Sequence, residues 1–293
     1  HALQVLARIL DREVDHGVIL GATSGDTGSA AIEACRGSEH LKIVILYPDG
    51  RVSEFQRKQM TTIPDRNTQA VAVSGTFDDC QRMVKEAFAE YEHLLAINSI
   101  NWTRVAAQAG FHVHAAARME APYDIVVPTG NFGNVYSAWV AKQMGAPIES
   151  ITIANNENHG LSDLVNTGTM TVGDVVPTLA PAMDIRVPSN LERFTSDPTT
   201  EFRASWSSDT QITQTITEVE DTHGYLIDPH TATAWRAAEE TRSDRPQLVV
   251  STAHPAKFDD TVPPPDWFPT LDGLEEHQVT IEADTSELEH LIR

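Results

Sequence analysis

The stretch Asp124-Ile-Val-Val-Pro-Thr-Gly-Asn-Phe-Gly-Asn134, followed by Val135-Tyr-Ser-Ala-Trp-Val-Ala-Lys142, joins an apolar run to a helical pattern through a Gly-rich polar turn. The β-branched residues of the run predict a buried strand, and the residues after the turn predict a helix. The first N–H groups of a helix lack an intrahelical partner, and the helix dipole adds positive charge there. The turn therefore predicts a site for an anion such as a phosphate.

This turn is neither a Walker loop nor a dinucleotide fingerprint, because it lacks Gly-Lys-Ser/Thr and the three-glycine spacing. An ordinary strand–helix turn would explain the same residues. A second turn of this construction, Val18-Ile-Leu-Gly-Ala-Thr-Ser-Gly-Asp-Thr-Gly28, opens another predicted helix. Its hydroxyl and amide groups suit a carboxylate, whereas a capping turn with Ser24 or Asp26 as N-cap is the alternative.

Strand-like and helix-like segments alternate along the chain. The predicted strands are residues 16–21, 41–47, 69–73, 94–97, 125–127, 151–154 and 247–250. The predicted helices are residues 1–13, 24–36, 53–61, 77–91, 101–118 and 131–144, one late in 195–221, and one that follows a turn within 227–235. The tail from Glu275 predicts a strand and a short helix. This alternation predicts an α/β fold with mostly parallel sheets flanked by helices, and both Gly-rich turns fall at carboxyl ends of strands, where such sheets bind ligands.

The composition is acidic, with 42 Asp and Glu against 21 Lys and Arg in 293 residues and a net charge of −21. Nucleic-acid binding needs a basic surface, so no nucleic-acid partner is expected. No run reaches the roughly 18 apolar residues of a membrane span, so no membrane partner is expected either. Acid excess with only five lysines is typical of a salt-adapted protein and equally of an ordinary acidic enzyme. Cys35 and Cys80 need not pair, which favours the cytoplasm.

Two further motifs follow predicted strands. Asn98-Ser-Ile-Asn-Trp-Thr-Arg104 brings amide, hydroxyl and guanidinium groups to the start of a helix, where Asn101 and Arg104 share a face. An N-cap with a surface arginine is the alternative. Ser251-Thr-Ala-His-Pro-Ala-Lys-Phe258 lacks the Gly-x-Ser-x-Gly elbow of a serine hydrolase. A metal site is not expected, because His112 and His114 do not share a helical face and are interpreted as structural.

Seven motifs follow one another along the chain. They are Gly-Ala-Thr-Ser-Gly-Asp-Thr-Gly (21–28), Ile-Leu-Tyr-Pro-x-Gly-Arg (45–51), Asn-Ser-Ile-Asn-Trp-x-Arg (98–104), Pro-Thr-Gly-Asn-Phe-Gly (128–133), Pro-Ala-Met-Asp-Ile (181–185), Asp-Pro-His-Thr-Ala (228–232) and Ser-Thr-Ala-His-Pro-Ala-Lys-Phe (251–258). Taken in this order, they resemble the threonine synthases over nearly the whole chain. The resemblance implies a fold type II, tryptophan-synthase β-like enzyme that uses pyridoxal 5'-phosphate. It implies conversion of O-phospho-L-homoserine and water to L-threonine and phosphate.

The resemblance also implies two α/β domains and a set of site residues. Residues 16–103 would form a smaller, mobile domain, and residues 1–15 and 104–293 the larger, cofactor-binding domain. The expected cofactor ligands are Gly130, Asn131, Phe132, Gly133 and Asn134 at the phosphate and Thr252 at the pyridine nitrogen. The expected substrate ligands are Thr23, Ser24, Asp26 and Thr27 near the carboxylate, and Asn98, Ser99 and Arg104 at the phosphate.

The chain departs from the family at its catalytic lysine. The resemblance places the lysine that forms a Schiff base in a Phe-Lys-Asp segment that would precede His1, and none of the five lysines matches it. The chain is therefore expected to be truncated and inactive as it stands, and to work as a monomer or homodimer in its complete form. Asn134 also stands where close relatives carry Asp.

Two other functions remain open. A related threonine dehydratase or cysteine synthase would carry Ser-x-Gly-Asn-x-Gly in place of residues 23–28. A pseudoenzyme would bind the cofactor or a phosphorylated metabolite without turnover.

Overall fold

The computed structural model describes residues 1–23, 25–97, 101–258 and 270–293, with Asp26 described by its backbone. The contacts divide the chain into two compact units. The first consists of His1–Arg104 and Pro269–Arg293, and the second of Val105–Phe268. Each unit contains its own parallel β-sheet.

The helices and strands of the described residues alternate for most of the chain. In chain order they are α1 (Ala2–Glu13), β1 (Gly17–Ala22), α2 (Asp26–Cys35), β2 (Leu41–Pro48), α3 (Glu54–Thr61), β3 (Thr68–Ser74), α4 (Phe77–Glu90), β4 (Leu94–Ala96), α5 (Trp102–Ala116), β5 (Tyr123–Pro128), α6 (Gly133–Gln143), β6 (Ile148–Asn155), α7 (Gly160–Thr167), α8 (Pro198–Glu201), β7 (Phe202–Trp206), α9 (Asp209–His223), α10 (Pro229–Glu240), β8 (Gln247–Val249), β9 (Gln278–Glu282) and α11 (Glu289–Ile292).

The first unit is built on a five-stranded sheet in the order β4-β1-β2-β3-β9, with every pair parallel. Successive side chains of a strand point to opposite faces, so Ile19 and Leu20 enter separate cores on the two sides. Cys35 belongs to one core and Cys80 to the other, and both are free thiols, as expected. Burial raises the pKa of Cys35 to about 12 and that of Cys80 to about 11, so both stay protonated.

The second unit is built on a four-stranded parallel sheet in the order β7-β6-β5-β8. All six residues of the central strand β5 are buried, because α6 packs on this sheet and α10 packs against β5 and β6. In register, Val126 lies beside Thr152 on β6 and Val249 on β8. The carboxyl ends of β5 and β8 therefore lie at the same edge of the sheet, on neighbouring strands.

The predicted α/β fold with parallel sheets is confirmed, and the ends of most predicted elements lie within three residues of the observed ends. The strand β7 and the helices α7 and α8 are not among the predicted elements. The predicted division placed residues 1–15 and the tail in the larger domain. In the structure, α1 packs against α2 and β9 pairs with β3, so both belong to the first unit. None of the described helices has the length and apolar character needed to cross a membrane.

Candidate active site

The turn between β5 and α6 contains one residue in a left-handed backbone conformation. Phe132, the N-cap of α6, lies in the left-handed region with φ 65° and ψ 0°. A non-glycine residue there costs about 1–2 kcal/mol. Its ring is 1% exposed and packs edge-on against Phe194 and Phe202, with ring centroids 5.8 and 5.6 Å away. Aromatic packing thus holds the strained turn in place.

The turn presents a group of unused backbone donors. Within the described part of the chain, no oxygen accepts a hydrogen bond from the N–H of any of residues 130–134. Buried and half-buried N–H groups are normally paired, so five such donors at a helix start indicate a missing acceptor. The helix dipole favours a negative charge at this position. These residues fit a phosphate group.

Neighbouring segments hold the turn from behind. The carbonyl oxygen of Asn131 accepts hydrogen bonds from the backbone N and Nδ2 of Asn190, at 3.2 and 3.1 Å. Gly130 packs against the 3-10 turn Pro181–Met183, where a Cβ at residue 130 would lie 2.7 Å from the carbonyl oxygen of Ala182 and 2.9 Å from the Cα of Met183. The close approach of two backbones therefore requires glycine at this position.

The side chain of Asn134 is oriented by a buried histidine. His112 Nε2 lies 2.8 Å from Asn134 Oδ1. Burial lowers the pKa of His112, and the hydrogen bond to Asn134 only partly offsets this. The neutral ring donates its Nε2–H to the amide oxygen, and the Nδ2 of Asn134 has no acceptor among the described residues. Asn134 thus adds a side-chain donor to the backbone donors of its turn. The sequence indicated only a structural histidine here.

Thr252 leaves the sheet beside this turn. It follows β8, which neighbours β5, and the N–H of Val250 donates to the carbonyl oxygen of Val126 at 3.0 Å. Thr252 is exposed, and its hydroxyl has no partner among the residues that the structure describes. Adjacent strands of a sheet are about 4.8 Å apart. The hydroxyl and the N–H donors of residues 130–134 are therefore at the same edge of one sheet.

The second Gly-rich turn uses its first hydroxyl internally. Thr23 is buried, and its Oγ1 accepts hydrogen bonds from the N–H of Gly25 at 3.0 Å and of Gly28 at 2.9 Å. Gly25 is the N-cap of α2 with φ 150°, so the alternative that Ser24 or Asp26 is the N-cap is wrong. Glycine is needed there because few other residues adopt this backbone conformation.

The other three residues expected to bind substrate from this turn are Ser24, Asp26 and Thr27. Thr27 is half-buried, and no described residue bonds its hydroxyl. Ser24 lies outside the described residues, and only the backbone of Asp26 is described.

Arg104 lies in the first turn of α5 without an anionic partner. Its guanidinium makes no hydrogen bond or ion pair with any described residue, and burial lowers the pKa of Arg104. Asn101 is used as a cap, since its Oδ1 accepts from the N–H of Thr103 at 2.9 Å. A partly buried cation without a carboxylate is costly unless a ligand supplies the charge. Asn98 and Ser99 lie outside the described residues.

Sequence reasoning missed a buried polar cluster in the second unit, formed by Asp228, His230 and Thr231. These residues belong to the motif Asp-Pro-His-Thr-Ala (228–232), but the motif by itself indicates no role for them. Their partners are distant in sequence, so spacing alone carried no signal. Among the described residues, no group of His, Cys, Asp and Glu could hold a metal ion.

Comparisons with known proteins identify the family of this chain. A family model described as pyridoxal-phosphate dependent enzyme matches residues 1–252, and a second, described as threonine synthase, C-terminal, matches residues 231–292. A crystal structure of pyridoxal-phosphate-bound threonine synthase from Brucella melitensis is 35% identical, with a TM-score of 0.92 over 99% of this chain and 74% of that one. The chain belongs to the threonine synthase family.

This chain is also similar in sequence and structure to other members of the threonine synthase family. The threonine synthase of Pseudomonas aeruginosa is 41% identical over 306 residues, which cover 89% of this chain and 65% of that protein. The yeast threonine synthase structure is 32% identical, with a TM-score of 0.86 over 99% of this chain and 73% of that one. The chain thus spans less than two thirds of the length of the Pseudomonas relative. The predicted resemblance is confirmed, and pyridoxal 5'-phosphate is the cofactor of this family.

Proposed function

We propose that this protein binds pyridoxal 5'-phosphate and, as a threonine synthase, converts O-phospho-L-homoserine and water to L-threonine and phosphate. The observation that carries the proposal is the set of five N–H groups at residues 130–134 that have no acceptor among the described residues, in a chain whose family uses a phosphorylated cofactor. The net charge of −21 repels anions at long range, so any phosphate must be held by local donors of this kind.

The proposed cofactor ligands divide into two groups. Gly130, Asn131, Phe132, Gly133 and Asn134 would hold the phosphate, each charge-assisted hydrogen bond contributing about 1.5–3 kcal/mol. Thr252 would bond the pyridine nitrogen with a neutral hydroxyl from the adjacent strand. When bound, the cofactor supplies an electron sink for the negative charge that develops on the substrate carbon. The protein residues bind and orient it.

The proposed substrate ligands belong to the first unit. Arg104, with Asn98 and Ser99, would bind the phosphate of the substrate, and the support is a guanidinium that pairs with no anion among the described residues. Arginine suits phosphate because its planar fork donates two parallel hydrogen bonds. The 23–28 turn would face the substrate carboxylate. In it Thr23 holds the turn, while Ser24, Asp26 and Thr27 would contact the ligand.

Turnover also needs an amine-bearing side chain that moves protons, and none of the five lysines carries the family motif. Binding and turnover are therefore tested separately. Binding is tested by titrating the chain with pyridoxal 5'-phosphate and with pyridoxal, following tryptophan fluorescence. We expect a preference for the phosphorylated form of at least about 100-fold, since two charge-assisted hydrogen bonds at about 1.5 kcal/mol each exceed that factor. Equal affinity for the two would refute the phosphate site.

Turnover is tested in the natural full-length protein by phosphate release from O-phospho-L-homoserine. Formation of L-threonine with one phosphate per turnover supports the proposal. Conversion of L-threonine or L-serine to an oxoacid without phosphate release would favour a dehydratase, and tight cofactor binding without any turnover would favour a pseudoenzyme. We further propose that the protein works in the cytoplasm, supported by its two buried, unpaired thiols.

A further inference from the structure

We propose that Asp228, His230 and Thr231, the anchor cluster, position both cofactor-binding segments of the second unit through one buried carboxylate. This inference rests on the proposed function, because it concerns how the same site is held in shape. None of the three residues belongs to the set proposed to touch the cofactor. They are 0%, 2% and 3% exposed and lie at the start of α10.

Asp228 is the centre of the anchor cluster. Its Oδ1 accepts hydrogen bonds from the backbone N–H of His230 and from His230 Nδ1, both at 2.9 Å. Its Oδ2 accepts a hydrogen bond from the hydroxyl of Thr231. The two oxygens of one carboxylate therefore orient two different side chains. Such a fully bonded polar network in the interior specifies a single arrangement of its members.

The histidine of the cluster connects Asp228 to the phosphate-binding turn. The N–H of Ala182 donates to His230 Nε2 at 3.2 Å. Since Nε2 accepts, the ring proton is on Nδ1 and is donated to Asp228, so both ring nitrogens are used. The carbonyl oxygen of Ala182 is the atom that a Cβ on Gly130 would meet at 2.7 Å. His230 thus fixes the backbone on which the 130–134 turn rests.

The threonine of the cluster connects Asp228 to the other cofactor segment. Thr231 Oγ1 is hydrogen bonded to Ser251 Oγ at 3.1 Å. Ser251 immediately precedes Thr252, whose exposed hydroxyl is proposed to bond the pyridine nitrogen. One carboxylate therefore sets the position of the phosphate turn through His230 and of the ring-binding segment through Thr231.

The physical consequence is a fixed spacing between the two ends of the cofactor site. A ligand held at both ends gains affinity when the two contacts are already at the correct separation, because little ordering remains to be done on binding. The side chains that set this separation are positioning residues. Loss of the hydrogen bonds of His230 or of Thr231 should loosen one end of the cofactor site. The donor groups at residues 130–134 and at Thr252 would still be present.

The test uses variants that each remove one link. His230→Phe keeps an aromatic ring beside Phe258, whose centroid is 4.9 Å away, and removes both nitrogen contacts. Thr231→Val keeps the shape and removes the hydroxyl. Thr233→Val is the matched control, because the buried hydroxyl of Thr233 donates within the helix to the carbonyl oxygen of His230, at 2.8 Å, and to no other described residue.

The probes are pyridoxine 5'-phosphate and pyridoxine, which lack the aldehyde and so form no imine with lysines. Dissociation constants are measured by fluorescence, and the ³¹P signal of the bound phosphate is recorded by NMR. His230→Phe should raise the constant for pyridoxine 5'-phosphate about tenfold, a change of about 1.4 kcal/mol, and leave that for pyridoxine nearly unchanged. Thr231→Val should raise both constants by a similar factor of about three. Thr233→Val should change neither constant, even if it lowers Tm.

His230→Gln retains a donor and an acceptor and should restore part of the phosphate preference. If His230→Phe does not fold, His230→Gln replaces it in the test. If Thr231→Val does not fold, Thr231→Ser replaces it. The proposal is overturned if folded His230→Phe keeps the phosphate preference and ³¹P shift of the unaltered protein, or if Thr233→Val has the same effect as Thr231→Val. If the unaltered protein binds neither probe, the proposed function itself has failed.

Discussion

The neutral ring of His112 donates a hydrogen bond to the amide oxygen of Asn134 across 2.8 Å, and the amide nitrogen of Asn134 has no acceptor among the described residues. The two residues are 22 positions apart and belong to α5 and α6. Protonation of His112 would charge a buried ring beside a site proposed to hold a cofactor. The pair therefore links the pH of the solution to the state of the site.

The first prediction concerns stability at mildly acidic pH. Burial lowers the pKa of His112 in the folded chain below the ordinary value of 6.5. At a pH between the folded-state pKa and the unfolded-state pKa, the unfolded chain therefore binds a proton that the folded chain does not. The free energy of unfolding therefore has its full value, as far as His112 is concerned, above about pH 6.5. It decreases as the pH falls below about 6.5. Urea unfolding across pH 5 to 8 measures it, and His112→Phe should flatten the profile.

The control for this experiment is His114→Gln, two residues along the same helix. His114 is exposed, and its substitution should leave the pH dependence as it is. A pH profile that is the same for His112→Phe and for the unaltered protein would contradict the prediction.

The second prediction concerns the glycine at the start of the phosphate turn. A Cβ at residue 130 would lie 2.7 Å from a backbone oxygen, so in Gly130→Ala either the turn or residues 181–183 must shift. We expect the dissociation constant for pyridoxal 5'-phosphate to rise at least tenfold, because N–H donors misplaced by a fraction of an ångström no longer converge. Gly110→Ala is the control, since nothing lies within 4 Å of its Cβ. Unchanged binding in Gly130→Ala would show that the close approach is unimportant.

The third prediction concerns the guanidinium of Arg104, which pairs with no anion in the part of the chain that the structure describes. In the full-length protein, Arg104→Ala should lower kcat/KM for O-phospho-L-homoserine by about 100-fold, equivalent to about 2.7 kcal/mol of transition-state binding. Arg104→Lys should recover only part of it, because an ammonium cannot form the paired hydrogen bonds. Arg118→Ala is the control, because Arg118 is exposed and lies two residues beyond the end of α5. Equal kcat/KM for Arg104→Ala and Arg118→Ala would remove Arg104 from the proposed substrate site.

The fourth prediction concerns a buried carboxylate at the opposite end of β5. Asp124 is 2% exposed and bonds Ser150, Ser243 and the guanidinium of Arg245, so it ties β5 to β6 and to the segment before β8. Burial alone would raise the pKa of Asp124, but the hydrogen bonds from the two serines and Arg245 lower it overall.

Asp124→Ala should therefore lower the free energy of unfolding by about 2–3 kcal/mol, as expected for lost hydrogen bonds to a charged group. Because the folded-state pKa is depressed, the stabilisation is present above the unfolded pKa and is lost as the pH falls through the folded value. Chemical denaturation at pH 7 and at pH 3 measures both effects. Asp244→Ala, at an exposed neighbouring carboxylate, is the control and should change little. A similar decrease in the free energy of unfolding in both variants would show that Asp124 does not tie β5 to its neighbours.

The fifth prediction concerns the acidic surface. With 42 acidic and 21 basic residues, like charges repel in the folded state, and salt screens this repulsion. If the composition reflects salt adaptation, Tm should rise by several degrees between 0.1 and 2 M KCl. A Tm that is flat or falls over this range would favour an ordinary acidic enzyme.

The fold could be predicted from the sequence because its strands are short apolar runs separated by helical patterns and turn residues. The strand β7, Phe202–Trp206, was missed because it contains Arg203 and Ser205 and is only partly buried at one edge of its sheet. Propensity is weak for such edge strands, and pairing with β6 determines their conformation.

The site was predicted in part. Glycine spacing and strand ends located the 130–134 turn, because those constraints act between neighbours in the chain. The contact of His230 with Ala182 spans 48 positions, and that of Thr231 with Ser251 spans 20. No local pattern encodes such pairs. The internal use of the Thr23 hydroxyl was equally hidden, because a threonine in a turn has the same sequence signature whether it bonds its own backbone or a ligand.

The strand β9 shows that the second unit is an insertion within the first. Residues 278–282 complete a sheet whose other strands end by residue 96, and the N–H of His277 reaches the carbonyl oxygen of Thr61 at 2.6 Å. During synthesis on the ribosome, residues 105–268 can collapse around their own sheet while β3 still presents an open edge. That edge can recruit a strand from another molecule until its own partner emerges. Premature termination between residues 268 and 278 should therefore produce chains that aggregate through β3.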